Sequence, residues 1–154
     1  MTYLKKLIIA GAFFMILASG DLFAQTKPFG LGIVVGEPTG ISGKYWTGQT
    51  TALDGAVAWS FNHEGSFYIH ADFLKHHFDI IDVSEGKMPL YYGIGGKMVL
   101  ADKGILGAHV PLGIAYMFET APLDIFLEIR PGLNLLPATE FDMSGGIGVR
   151  FYFD

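Results

Sequence analysis

Leu123-Asp124-Ile125-Phe126-Leu127-Glu128-Ile129-Arg130-Pro131-Gly132-Leu133-Asn134-Leu135 is the stretch that decides the fold. Leu123, Ile125, Leu127, Ile129, Leu133 and Leu135 stand at alternate positions, with Asp124, Phe126, Glu128, Arg130, Gly132 and Asn134 between them. A period of two belongs to extended chain, in which successive side chains point to opposite faces. One face is aliphatic and the other carries charges, an amide and glycine, so the strand separates two different environments.

The same alternation runs outward in both directions. Toward the C-terminus, Phe141, Met143, Ile147, Val149, Phe151 and Phe153 alternate with Asp142, Ser144, Gly146, Gly148, Arg150 and Tyr152. Toward the N-terminus, strands are expected at Ile105–Phe118, Pro89–Leu100, from Ser66, at Thr51–Phe61, around Ile41–Tyr45 and from Phe29 to Val35. That makes eight. Turn sequences separate them, among them Glu37-Pro38-Thr39, Asn62-His63-Glu64-Gly65 and Ala101-Asp102-Lys103-Gly104. In the Ser66 strand the parity is expected to break at a bulge near Lys75-His76-His77, with a turn at Ser84-Glu85-Gly86-Lys87. Eight amphipathic strands joined in sequence predict an all-β fold, an antiparallel up-and-down sheet closed into a barrel.

The whole chain of 154 residues is 51% hydrophobic and 16% charged, with 21 Gly and no Cys. That balance excludes disorder, and the missing thiol excludes disulfides, thiolate metal sites and cysteine nucleophiles. A net charge of −5 argues against nucleic acid, which requires a concentrated basic face. Residues 1–24 read as a signal peptide, with Lys5 and Lys6, an apolar run from Leu7 to Ala18, and small residues leading to cleavage after Ala24. The run is too short to span a bilayer as a helix, which takes about 20 residues. Residues 25–154 are then an exported barrel domain.

Which face lies inside follows from side-chain size. The face opposite the Phe, Leu and Ile residues is mostly Gly, Ala and Ser, which suits a narrow lumen and makes a poor water surface. The bulky face therefore reads as a lipid-facing band in a transmembrane barrel. Closure fits the same reading, because in hydrocarbon every backbone group must be paired. The inverse reading, a soluble periplasmic lipocalin-like carrier with an apolar cavity, is the alternative. In the membrane reading Lys44, Asp54, Asp72, Lys97, Glu128, Arg130 and Arg150 point into the lumen, as do His70 and His109. Charges withdrawn from water must be paired. Glu128 and Arg130 are therefore expected to join Lys97 and Asp72 or Asp54 in an ionic cluster that plugs the barrel.

Motifs of catalysis fail. Gly30-Leu31-Gly32 with Gly36 misses the dinucleotide spacing by one residue and leads into Pro38, not a helix. Gly43-Lys44 lacks the upstream glycine of a phosphate loop, since Pro38 stands there, and Tyr45 replaces the Ser or Thr. His76 and His77 with Asp79 would make a poor metal site, because adjacent strand residues point to opposite faces. No cofactor and no metal are expected.

The stretches Gly36-Glu37-Pro38-Thr39-Gly40-Ile41-Ser42-Gly43-Lys44-Tyr45-Trp46, His70-Ala71-Asp72, Pro89-Leu90-Tyr91-Tyr92-Gly93-Ile94-Gly95-Gly96, Val110-Pro111-Leu112-Gly113 and Gly145–Phe153 carry a resemblance. Through them the chain resembles the small eight-stranded outer-membrane barrels of the OmpA transmembrane-domain and OmpX type, and more closely a set of short barrel proteins of spirochaetes and other bacteria. The resemblance implies residence in the outer membrane of a diderm, Gram-negative-type bacterium, with outer-membrane lipids as surroundings. It also implies insertion by the outer-membrane assembly machinery, which reads a C-terminal strand with a terminal aromatic. Phe151 and Phe153 would be that signal, and here Asp154 follows them. Lipid A palmitoyltransferases, another class of eight-stranded barrel, act from outer-loop residues of the types of His63, Glu64 and Ser66, so an acyltransferase is a further alternative.

An even strand count puts both termini at one end, which the resemblance makes periplasmic. The outer connections, near Glu37–Thr39, Asn62–Gly65, Ala101–Gly104 and Pro137–Glu140, are short, and the longest irregular stretch, Lys75 to Lys87, is periplasmic. The expectation is a monomeric, non-enzymatic structural or interaction protein whose protein partner is at the surface or in the periplasm.

Overall fold

The computed structural model describes residues 27–60, 66–100 and 104–153. The expected signal peptide, the turn at Asn62-His63-Glu64-Gly65, Ala101–Lys103 and Asp154 lie outside the described residues. Among those described there is no helix; the elements are β1 (Phe29–Glu37), β2 (Thr39–Trp46), β3 (Thr51–Ser60), β4 (Ser66–His77), β5 (Leu90–Leu100), β6 (Ile105–His109), β7 (Leu112–Met117), β8 (Leu123–Leu136) and β9 (Glu140–Phe153).

Consecutive strands pair antiparallel, and β9 returns to β1 over the length of that strand, from Phe29 opposite Phe153 to Glu37 opposite Gly145. The sheet closes on itself. β6 and β7 occupy one position in the ring, because both lie between β5 and β8. They are one strand interrupted at Pro111, which has no amide hydrogen to give. The ladder still crosses the gap, with Gly93 N–H donating to the Pro111 carbonyl at 3.1 Å and Val110 N–H to the Pro131 carbonyl at 2.9 Å. The result is an eight-position up-and-down barrel.

Two expectations on local geometry need correction. There is no bulge at Lys75-His76-His77: β4 keeps its register against both neighbours to its end, so His76 continues the inward set and is buried. Leu74 is inward as well, which is why a reading based on apolar residues alone loses the parity there. The irregularity lies instead between Leu106 and Gly107, where β6 meets β8. The long connection accordingly starts at Phe78, after β4, and not at Lys75. It folds back on the barrel end. Lys87 exchanges backbone hydrogen bonds with Met117 at 3.0 and 2.7 Å, and the Tyr116 hydroxyl donates to the Glu85 carbonyl at 2.9 Å. Gly86 sits at φ +73° in that turn, a backbone region that suits glycine.

Every element of the ring presents large apolar side chains outward, including Ile33, Ile41, Trp59, Phe73, Ile94, Leu106, Leu112, Leu127 and Ile147. Ile94 is 66% exposed, whereas Arg150 is 2% exposed, so the usual hydrophobic-in order is inverted. Aromatic pairs mark both ends of the band: Trp59 and Phe67 meet edge-on at 6.0 Å at one rim, and Phe29 and Phe153 lie 6.5 Å apart at the other.

Glycine sets the bore. At Gly148 a Cβ would run into the Phe126 ring and come within 2.6 Å of the Ile33 carbonyl oxygen. Phe126 cannot give way, since its ring lies 3.8 Å from the Arg150 guanidinium carbon. At Gly43 a Cβ would meet nothing nearer than 3.9 Å. Gly148→Val should therefore lose about 1–3 kcal/mol of stability through overpacking, read by denaturant unfolding in detergent micelles. Gly43→Ala should stay within about 0.5 kcal/mol of the parent chain in the same measurement.

Candidate functional site: the charged interior

The inward set of the strands forms a stack along the barrel axis. At the end where β1 begins and β9 finishes, here the terminal end, Trp46, His76 and Phe78 make an aromatic floor, with Trp46 and His76 ring centres 4.4 Å apart. Lys44 sits on it, its ammonium 4.3 Å from the Trp46 ring centre and 2.7 Å from His76 Nε2. An ammonium can only donate, so Nε2 accepts and the ring hydrogen belongs on Nδ1, which donates to the Thr50 carbonyl at 3.2 Å. His77, the next residue, stacks outside on Tyr92 at 5.4 Å. The two histidines therefore serve different faces.

Above the floor Arg150 spans the bore. Its guanidinium donates to Ser42 Oγ at 3.0 Å and to Asp54 Oδ2 at 3.2 Å, and lies 3.8 Å from Asp124 Oδ2. Asp124 also accepts from the Tyr152 hydroxyl. Four strands, β2, β3, β8 and β9, thus meet through one side chain. Further along, Arg130 donates to Glu128 Oε2 at 3.0 Å and to Ser144 Oγ at 3.2 Å. Asp72 lies between two histidines, with His70 Nδ1 2.9 Å from its Oδ2 and His109 Nε2 against its Oδ1. Nearer the other rim Lys97 pairs with Asp142, beside an apolar layer of Ala58, Tyr68 and Val99.

The seven expected lumen residues, Lys44, Asp54, Asp72, Lys97, Glu128, Arg130 and Arg150, are all buried. Their pairing differs from expectation in part. Glu128 and Arg130 join each other, but Lys97 pairs with Asp142 and not with Asp72 or Asp54. The reason is depth: in the register Lys97 lies opposite His70, closer to the far rim than Asp72, which lies opposite Gly95. Asp124, Asp142, Ser42 and Tyr152 sit on the inward parity in the sequence and take part as partners. His76 was hidden by the expected bulge. Phe151 and Phe153 face outward on β9, their rings 5.1 Å apart. Of the residues an acyltransferase would use, His63 and Glu64 lie outside the described residues, and Ser66 is buried at the start of β4.

Among the described residues, cavities enter the interior from both ends. A cavity of about 510 Å³ at the terminal end is bounded by Lys27, Trp46, Lys87, Phe118, Glu119 and Tyr152. A smaller one of about 220 Å³ at the other end reaches Tyr68, Lys97 and Asp142.

No protein-family model matches the chain. No curated protein matches it either. Among solved structures it is similar to the N-terminal β-barrel domain of Pseudomonas aeruginosa OprF, with a TM-score of 0.61 over 82% of this chain and 98% of that one, at 14% sequence identity. At that identity the likeness speaks for the fold alone, a closed β-barrel.

Arg150 is the cation on which two buried carboxylates depend. Arg150→Met keeps most of the side-chain volume and takes the guanidinium away from buried Asp54 and Asp124, so it should cost about 3–5 kcal/mol in denaturant unfolding. Adding Asp54→Asn to that variant should recover part of the loss, and the double-mutant cycle would measure the pair directly.

Proposed function

We propose that this chain is a monomeric, non-enzymatic β-barrel of the outer membrane of a diderm bacterium, with an interior closed by its own ion pairs, that serves as a structural or interaction protein. The observation that carries the reading is the apolar band contributed by every strand around the whole circumference, set against a charged interior. Such a band in water would be an aggregation surface far larger than soluble proteins tolerate, whereas in a bilayer it is the required exterior. The aromatic pairs at both rims agree with positions at the two membrane interfaces. Likeness to an outer-membrane type of barrel supports the same location, and insertion there by the assembly machinery would engage the β9 end with Phe151 and Phe153.

Closure of the lumen is supported by the inter-strand ion pairs of Arg150 and Lys97 together with the Arg130–Glu128 pair on β8, which fill the bore with paired groups. A soluble lipocalin-like carrier needs an apolar cavity running into the barrel, and the middle of the described bore is filled by charged side chains. An acyltransferase needs a slot for an acyl chain; the cavity at the far rim, the end at which β4 begins with Ser66, is small and bordered by Lys97 and Asp142. Interaction is better served at the terminal end. There the 78–89 connection folds back beside the larger cavity, which supports a reading in which a periplasmic protein partner would dock on that side.

Fractionation and gel mobility test the reading together. The expected result is extraction from the outer-membrane fraction only by detergent, a mobility shift between unheated and boiled samples, and no steady conductance in planar bilayers. Release by osmotic shock with no shift on boiling would contradict it, and an open-channel conductance would refute the closed lumen.

A further inference from the structure

Midway along the bore, two groups of potential ligands share one carboxylate. Nitrogen and oxygen atoms of His70, Asp72 and His109 lie within 4.8 Å of one another, and so do carboxylate oxygens of Asp54, Asp72 and Glu128. These residues come from β3, β4, β6 and β8, and all are at least nine-tenths buried. Their register explains the convergence: Asp54 lies opposite Asp72, Asp72 opposite Gly95, and Gly95 opposite His109. Gly95 leaves the room, since a Cβ there would collide with the Asp72 carboxylate.

Three oxygens in this cluster have no hydrogen-bond partner: Asp54 Oδ1, Asp72 Oδ2 and Glu128 Oε1. Arg150 and Arg130 are already engaged by the other oxygens of Asp54 and Glu128. The barrel interior carries Lys44, Lys97, Arg130 and Arg150 against Asp54, Asp72, Asp124, Glu128 and Asp142, an excess of carboxylate. Independently, His70, which is 6% exposed, aims Nδ1 into the cluster, 2.9 Å from Asp72 Oδ2, without making a hydrogen bond to it. A buried ring nitrogen and a carboxylate oxygen thus stand side by side without a hydrogen bond between them, a pairing that a shared cation would satisfy.

We propose that the barrel interior holds a divalent transition-metal ion of the zinc type, bound by His70 Nδ1, His109 Nε2, an oxygen of Asp72 and a fourth oxygen from Asp54 or Glu128. Two imidazoles with carboxylates select a borderline metal of this kind over calcium or magnesium, which favour oxygen-only shells, and four ligands suit tetrahedral zinc. The ion offsets the surplus carboxylate and cross-links three strands of the ring, β4, β6 and either β3 or β8. It is legible only in three dimensions, because no two of the ligating histidines and carboxylates have a metal-motif spacing in sequence beyond His70 and Asp72.

Cobalt(II) is the probe, because four-coordinate cobalt absorbs strongly in the visible and six-coordinate aqueous cobalt weakly. The full chain, untagged and folded in detergent from metal-free buffer with cobalt present, should take up one cobalt per chain with the intense four-coordinate spectrum, and zinc should displace it. His70→Gln and His109→Gln chains, checked for folding by their mobility shift on boiling, should lose that spectrum, while His77→Gln should keep it. A folded parent chain without the spectrum overturns the proposal, as does a spectrum that survives in both His70→Gln and His109→Gln. Should those variants fail to fold, X-ray absorption at the zinc edge of the zinc-loaded parent decides: two imidazoles with oxygen ligands support the site, and any other count refutes it.

Discussion

Closure of the ring by the β1–β9 ladder is the constraint from which the rest follows. An apolar exterior offers no hydrogen-bond partner to the backbone, so every strand needs a neighbour on both sides. Once eight positions close, the bore is fixed and narrow. Space inside then dictates composition: glycine at positions such as Gly95 and Gly148 lets Asp72 and Phe126 cross above it. The excess of glycine in the sequence is thus a property of the lumen. The interruption at Pro111 is tolerated for the same reason, because the neighbouring carbonyls and amides keep the ladder paired across it.

A narrow closed bore also governs the charges. Ions there cannot be solvated freely, so each is tied to a partner, on another strand for Lys44, Arg150 and Lys97 and two residues away on β8 for Arg130, and the partners are layered by depth: Lys44 with His76, Arg150 with Asp54 and Asp124, Arg130 with Glu128, Lys97 with Asp142. Replacing one member strands its partner, which makes these pairs specific even where their net stabilisation is modest. The layer around Asp72 differs. Its carboxylates outnumber nearby cations, and its histidines face inward, so this layer brings ring nitrogens and carboxylate oxygens within ligand reach of one another.

The architecture was legible in the sequence because strand parity is a local property. Leu123 to Leu135 states its two faces without help from the rest of the chain, and the same arithmetic assigns all seven expected lumen charges to the inside. What could not be read was depth along the axis. Lys97 and Asp72 share a face and neighbouring strands, yet the shear of the ring sets them at different levels and gives Lys97 to Asp142, far along the chain on β9. Parity was misread only where an apolar residue, Leu74, faces inward, and that error concealed His76. The interruption at Pro111 was legible as a proline in a strand, whereas the register shift at Leu106 and Gly107 depends on β8 and leaves no mark in β6 itself.

The central claim is that the bulky face meets lipid and the charged face does not, and the two tryptophans report on it separately. Trp59 points outward, 49% exposed, and Trp46 points inward, 3% exposed. In vesicles containing lipids brominated near the headgroup end of the acyl chain, a chain carrying only Trp59, made by Trp46→Phe, should have its fluorescence strongly quenched. A chain carrying only Trp46, made by Trp59→Phe, should be quenched little. Quenching of Trp46 with Trp59 untouched, or of neither, would contradict the account.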